Sequence, residues 1–171
     1  MELKLERCTI RDWRLSDAES LAKHANNRQV SLQLWDRFPH PYTIEDAKDF
    51  LARATSGKEQ EKFYCIDIDG VAVGGIGLRP GEDVHRYTAE FGYWLGEEFW
   101  GRGIMTQVVR AFADYCFEKF SLNRISAQTY FNNPASARVL EKAGFVFEGR
   151  LRKNVVKDGQ ILDSLLYAKT M

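Results

Sequence analysis

The stretch Gly92 to Thr106, GYWLGEEFWGRGIMT, constrains this chain more than any other. It opens on apolar and aromatic residues, turns through Gly96-Glu97-Glu98 and reaches Gly101-Arg102-Gly103. It then enters a run in which Val108, Val109, Phe112, Ala113, Cys116 and Phe117 share one helical face. The order is strand, tight loop, helix. Glycine has no Cβ, so Gly101 and Gly103 let the backbone bend sharply and let a bulky anion come close. The first helical turn leaves N–H groups without intrahelical acceptors, and the helix dipole favours negative charge there. The stretch therefore reads as a phosphate seat, or as a helix start whose glycines serve packing alone. Its spacing approaches a nucleotide P-loop but fails it, because Arg102 and Gly103 stand where Lys and then Ser or Thr are needed. No Gly-x-Gly-x-x-Gly for a dinucleotide is present.

Local signals order the rest of the chain. Leu3 to Trp13 reads as a strand region, and Ser16-Asp17-Ala18-Glu19 as a capping box opening a helix with Leu21, Ala22 and Ala25 inward. Leu34 to Tyr42 holds two prolines and several large rings, so it is irregular; the rings either cover the edge of the core or wall a pocket. Thr43-Ile44-Glu45-Asp46 caps a second helix. Lys62 to Asp69 alternates as a strand, Asp69-Gly70 is a hairpin turn, and Val71 to Leu78 returns. Tyr87 to Leu95 is the strand that feeds the glycine loop, and Asn123 to Tyr130 follows the long helix as another. Asn133 at the N-cap, Pro134 at N1 and Gly144 as C-cap frame a short helix. A strand at Phe145 to Gly149 and a separate hairpin, Val155 to Ala168 around Asp158-Gly159, close the chain. This order predicts an α+β, or mixed α/β, sheet with helices on both faces.

At 171 residues the chain is long enough for one domain, 1–171, with a full core. Lys plus Arg equals Asp plus Glu, 24 each, which argues against broad nucleic-acid binding. Cys8, Cys65 and Cys116 lie scattered in apolar runs and read as buried free thiols. The charged start predicts no signal peptide, and no apolar run reaches membrane-spanning length, so a cytoplasmic setting without membrane association is expected. His24, His40 and His85 are far apart and give no metal-ligand spacing, so no metal is expected.

Two motifs now stand in order: Gly101-x-Gly103-x-x-Thr106, and some thirty residues later Asn133-Pro134-Ala135-Ser136-Ala137-Arg138-Val139-Leu140-Glu141-Lys142-Ala143-Gly144-Phe145. Together they resemble the GNAT superfamily of acetyl-CoA-dependent N-acetyltransferases. Gly92-Tyr93-Trp94-Leu95, Trp100-Gly101-Arg102-Gly103, the segment 34–42 and the tail from Glu148-Gly149 to Asp158-Gly159 resemble its RimJ/RimL-like branch, which includes ribosomal-protein N-terminal acetyltransferases. The resemblance covers essentially the whole chain. It implies a twisted, mostly antiparallel mixed sheet of about seven strands with four helices. It departs from the broad pattern at Trp100, where Gln or Arg is usual, and at Met105, where Gly or Ala is. Leu140 stands where many members carry a general-acid tyrosine.

The resemblance implies direct attack of a neutral amine on the thioester of acetyl-CoA, with no metal. It assigns pyrophosphate to the backbone of Gly101, Arg102, Gly103, Ile104, Met105 and Thr106, with the Arg102 side chain as an ionic contact or a solvated loop charge. The pantetheine arm falls to Trp94, Leu95 and Asn133. Glu90, on the strand into the loop and on the face of Gly92 and Trp94 by alternation, is the candidate base. Ser136 takes the place of the missing tyrosine, bonding the leaving thiolate, or only caps its helix. Trp35, Asp36 and Tyr42 are candidate contacts for the acceptor, with Asp36 able to bind its amine. The acceptor is a protein N-terminus or a small amine. A non-catalytic acyl-CoA sensor with the same fold is the alternative, and a homodimer is compatible with the sequence.

Overall fold

Short polar signals set the element ends in this computed structural model, which describes residues 1–171. Thr43 accepts from the N–H of Asp46, whose carboxylate returns to the N–H of Thr43 at 2.7 Å, and α3 (Ile44–Ala54) starts there. Asn133 accepts from the N–H of Ser136 at 3.2 Å, Pro134 opens α5 (Pro134–Lys142), and Gly144 follows it at φ +91°. Asp69 and Gly70, both at positive φ, turn β3 (Lys62–Ile68) into β4 (Val71–Pro80). The remaining elements are β1 (Glu2–Lys4), β2 (Thr9–Asp12), α1 (Ala18–Ala25), α2 (Arg28–Ser31), β5 (Thr88–Leu95), α4 (Ile104–Phe120), β6 (Arg124–Tyr130), β7 (Val146–Lys157) and β8 (Gln160–Thr170).

The strands form one eight-stranded sheet in the order β1-β2-β3-β4-β5-β6-β8-β7. β5 and β6 run parallel; β1–β2, β2–β3, β6–β8 and β7–β8 run antiparallel. The mixed α/β class is as expected, with eight strands and five α-helices instead of about seven and four. The parallel ladder runs from Thr88↔Arg124 to Phe91↔Ala127 and stops, while β5 continues to Leu95 and β6 to Tyr130.

Backbone contacts gather into two compact units, residues 1–77 with 93–104, and residues 78–92 with 105–171. The core of the first joins Trp13, Leu21, Ala25, Tyr42, Ala47, Leu51, Cys65 and Ala72, with Phe38, Phe50, Phe63 and Trp94 packed against them. In the second, Phe91 lies 5.2 Å from Phe112 and 6.0 Å from Phe145 between ring centroids. Cys8, Cys65 and Cys116 are free and buried, and burial pushes their thiols up to about 11, 12 and 12.

The structure corrects several local expectations. The strand region at Leu3–Trp13 is two short strands. The capping box expected from Ser16 does not form; α1 starts at Ala18 and the Asp17 carboxylate is used elsewhere. Arg11 is buried although it alternates with the buried Ile10, and a buried guanidinium needs anionic partners. Asp17 meets it at 2.8 and 2.9 Å and Asp67 at 2.8 Å, and Asp17 also accepts the N–H of Arg14 at 2.8 Å. The last two strands expected before Asp158-Gly159 are one long strand, β7. It carries an irregularity between Leu151 and Val155 that breaks its alternation without ending it.

Candidate active site

The glycine loop has the expected shape. Gly101 and Gly103 sit at φ +73° and +74°, in the left-handed region that side chains avoid. Both are exposed, whereas Ile104 and Met105 at the start of α4 are buried. A Cβ on Gly101 would meet nothing within 4 Å, so the backbone there is open to a ligand. The N–H groups of the first α4 turn, Ile104 to Thr106, have no carbonyl one turn behind them, as at any helix start. Seventeen residues of aligned dipoles stand behind them. Bent exposed glycines, free N–H donors and a positive dipole end fit a pyrophosphate.

The loop is held from several sides by contacts with no local sequence signature. The Trp100 indole donates to the Leu95 carbonyl at 2.7 Å and folds the loop back onto the end of β5. Asn27 donates to Glu97 at 2.6 Å, and the buried His24 lies 3.1 Å from Glu98 through Nδ1. Burial lowers the His24 pKa, while the Glu98 carboxylate beside Nδ1 works against that shift. Arg7 donates to the Arg102 carbonyl. The Arg102 guanidinium folds back, donating to the Glu98 carbonyl at 2.7 Å and lying 5.6 Å from the Phe99 ring. Its side chain therefore braces the loop. The Arg7 guanidinium also reaches the loop: its Nη1 would lie 4.0 Å from a Cβ on Gly103.

Trp94 and Leu95 combine a packed side chain with a strand backbone. The Trp94 ring lies 5.4 Å from Phe38, and a Cβ on Gly75 would lie 2.8 Å from its Nε1. Gly74 is required because a Cβ there would meet the Trp94 carbonyl at 2.5 Å. The Leu95 carbonyl accepts from the Trp100 indole and keeps a second lone pair.

In the second unit, Glu90 is half-buried and pairs in register with Ser126. Ala89 and Phe91 on either side are buried, so alternation holds along β5. Asn133 and Ser136 share the first turn of α5, both half-buried, and the Asn133 side-chain oxygen is committed to the Ser136 N–H. The amide nitrogen of Asn133 points away from that bond and can donate elsewhere. Leu140 is fully buried, so the usual tyrosine position is a core position here. Arg138 pairs with Glu141 at 3.3 Å on the helix surface.

The segment 34–42 divides its residues. Trp35 is 46% exposed, with the Arg37 guanidinium 4.8 Å from its ring centroid, and Asp36 is exposed beside it. Tyr42 is 6% exposed, a core residue whose hydroxyl burial pushes up to about 12. The ring at 42 thus covers the core, while Trp35 and Asp36 lie at the surface. No cluster of His, Cys, Asp and Glu side chains capable of holding a metal occurs.

A strand, a bent glycine loop and a long helix, followed by an Asn-capped short helix on a mixed sheet, make a scaffold of the acyltransferase type, with a loop shaped to take an anion. Residues 7–146 match the family model for the acetyltransferase (GNAT) domain. The chain is 34% identical over 163 residues to the probable N-acetyltransferase YjcK of Bacillus subtilis (strain 168), covering 92% of this chain and 90% of the relative. It is 32% identical over 171 residues to the putative ribosomal N-acetyltransferase YdaF of the same organism, covering 95% and 91%. Among solved structures, RimL, a ribosomal alpha-N-protein acetyltransferase in complex with coenzyme A, superposes with a TM-score of 0.87 at 21% identity, over 100% of this chain and 98% of that one. That likeness shows the fold. The chain belongs to the GNAT family and is an acetyl-CoA-dependent acyltransferase.

Proposed function

We propose that residues 1–171 act as one N-acetyltransferase domain that moves acetyl from acetyl-CoA to a primary amine by direct attack. The observation that carries this reading is the exposed pair Gly101 and Gly103 at left-handed φ in front of α4. Its donors are the backbone N–H groups from Gly101 to Thr106, and Arg7 adds positive charge on the Gly103 side. The strand backbone at Trp94 and Leu95 holds the pantetheine arm.

Glu90 takes the proton from the acceptor ammonium, directly or through one water, and the neutral nitrogen attacks the thioester carbonyl. A half-buried carboxylate with a small hydroxyl, Ser126, beside it suits that work. Ser136 donates a hydrogen bond to the departing thiolate sulfur, which takes up the proton that the attacking nitrogen loses as the amide forms and coenzyme A leaves. Trp35 and Asp36 contact the acceptor. The acceptor is a peptide N-terminus or a small amine; the similarity to a putative ribosomal N-acetyltransferase favours the former.

The test is coenzyme A release from acetyl-CoA with peptides, polyamines, amino acids and aminoglycosides as acceptors. Release with one acceptor class, reduced about 10²-fold or more in Glu90→Gln while acetyl-CoA still binds, is expected for loss of a general base. Release that Glu90→Gln leaves unchanged would remove the base from this account. Ser136→Ala is expected to cost about tenfold in kcat with little change in KM for acetyl-CoA.

A further inference from the structure

The face of β5, β6 and β8 opposite α4 and α5 carries a row of polar side chains that nothing above has used beyond Glu90 and Ser126. The register fixes the faces. Phe91, Ala127 and Tyr167 are aligned, and they face α4 and α5: the Phe91 ring lies 5.2 Å from that of Phe112, and the Tyr167 hydroxyl donates to Glu141 at 3.3 Å. Glu90, Ser126 and Gln128 therefore point the other way, and so do Tyr130 and its partner Ser164. Gln128 lies two residues beyond Ser126 on β6, about 7 Å along the strand.

Ser164 is fully buried, and its Oγ lies 3.1 Å from the Gln128 side-chain amide and 3.0 Å from that of Asn154. Asn154 reaches it because β7 bulges: Leu151 pairs with Ser164 and Val155 with Leu162, so residues 152–154 oppose Asp163 alone. Asp163 staples the bulge, accepting from the Lys153 N–H at 2.8 Å and from Arg150 Nε at 2.5 Å, and both contacts hold its carboxyl below the usual range. Lys153 takes the left-handed conformation that the bend needs, at φ +54°.

A hydroxyl has one proton. The Ser164 Oγ faces both Gln128 Oε1 and Asn154 Oδ1, but its one proton can bond only one of them, so the other amide is turned to donate its N–H. Whichever way the two amides are turned, one is left with its NH2 group and the other with its oxygen. Gln128 and Asn154 are both exposed, so these two groups face solvent. The pair presents one donor and one acceptor, the complement of a single peptide group. A polyamine, which has donors only, would leave the donor idle.

We propose that Gln128 and Asn154, oriented by Ser164, recognise a peptide group near the free N-terminus of the acceptor, and that this acetyltransferase acts on peptide N-termini in preference to simple amines. The inference rests on the acetyl-transfer reading above and names its acceptor. Ser164 is a positioning residue; Gln128 and Asn154 touch the substrate.

The experiment measures kcat/KM for tetrapeptides opening with Ala, Ser or Met and for 1,4-diaminobutane, an amine with no amide. The proposal expects peptides to be preferred, and the peptide-to-diamine ratio to fall about tenfold in Gln128→Ala and in Asn154→Ala, the size of one lost hydrogen bond. Replacing the first or second peptide N–H by an ester oxygen should cost a similar factor in wild type and little more in the variant that removes its partner. Both side chains are exposed, so the variants should fold. A wild-type preference for the diamine, or a ratio unmoved by both variants and by ester replacement, overturns this proposal and leaves acetyl transfer standing. Absence of acetyl-CoA binding, or binding without release from these acceptors or any of the wider panel above, overturns the acetyl-transfer reading and this one with it.

Discussion

The loop from Gly96 to Gly103 and the polar face from Glu90 to Ser164 are built on opposite plans. In the loop the side chains are spent on holding the backbone: Trp100 on Leu95, Arg102 on Glu98, Arg7 on Arg102, and Asn27 and His24 on the two glutamates. What remains for a ligand is N–H groups and bent glycines. On the face the backbone is already satisfied by sheet ladders, and side chains remain for a ligand: the Glu90 carboxylate and the amide ends of Gln128 and Asn154. A phosphate chain is recognised by charge and directed N–H groups, so its site needs a fixed backbone. Proton transfer and acceptor selection need particular side chains at particular heights on a strand. The two plans predict different failures when residues are changed.

The largest expected effect separates them outright. Glu90→Gln should lower kcat by about 10²-fold or more and leave the Kd for acetyl-CoA within about twofold. A matching rise in that Kd, seen by calorimetry, would mean that Glu90 also serves the loop. Arg11→Ala comes next. It leaves Asp17 and Asp67 buried without their cation and should cost about 3–5 kcal/mol in urea unfolding. Because Asp17 immediately precedes α1, which carries His24, acetyl-CoA affinity should fall in the variant fraction that remains folded. Full retention of affinity would show that the loop stands without α1.

Trp100→Phe keeps the ring and removes one hydrogen bond, so acetyl-CoA affinity should weaken about fivefold. An unchanged affinity would show that the indole bond does not set the loop. The smallest effect is one of pH. Burial keeps His24 neutral in the folded protein, below its ordinary value of 6.5, whereas the unfolded chain takes up that proton near 6.5. The unfolded state thus binds more protons as pH drops below 6.5, and stability contributed by neutral His24 is lost from there down to its folded pKa. Groups that face it are Glu98, which works against the shift, and Lys23, which adds to it. His24→Gln should flatten this part of the stability profile, measured by thermal unfolding across pH 5 to 7.5.

Which parts were readable from sequence follows from the same contrast. Signals carried by adjacent residues were legible: the Thr43 box, the Asn133-Pro134 start with Gly144 beyond, the Asp69-Gly70 turn, and the two loop glycines. The position of Glu90 also followed from alternation alone. Signals that depend on distant partners were not. Arg11 reads as a surface charge until Asp67, fifty-six residues away, is seen beside it. Arg7 and His24 carry nothing that ties them to residues 98–102. The Ser16 box was outcompeted because Asp17 gains more from a buried guanidinium than from a cap. α2 escaped because four residues show no periodicity, although its Asn27 cap is a recognised type. β7 was divided because its bulge shifts the alternation by which strands are read. Tyr42 could be a pocket wall or core by sequence, and packing made it core.

The most direct test of the account is a calorimetric comparison of acetyl-CoA with acetyl-pantetheine, which lacks the nucleotide and its pyrophosphate, on wild type and Gly103→Val. A valine at φ +74° strains the loop and places methyl groups where phosphate would approach. The account predicts that wild type binds acetyl-CoA at least about tenfold more tightly than acetyl-pantetheine. It also predicts that Gly103→Val erases the difference by weakening acetyl-CoA alone. Equal affinities in wild type, or a difference that survives in Gly103→Val, would contradict the assignment of the pyrophosphate to the N-terminal loop of α4.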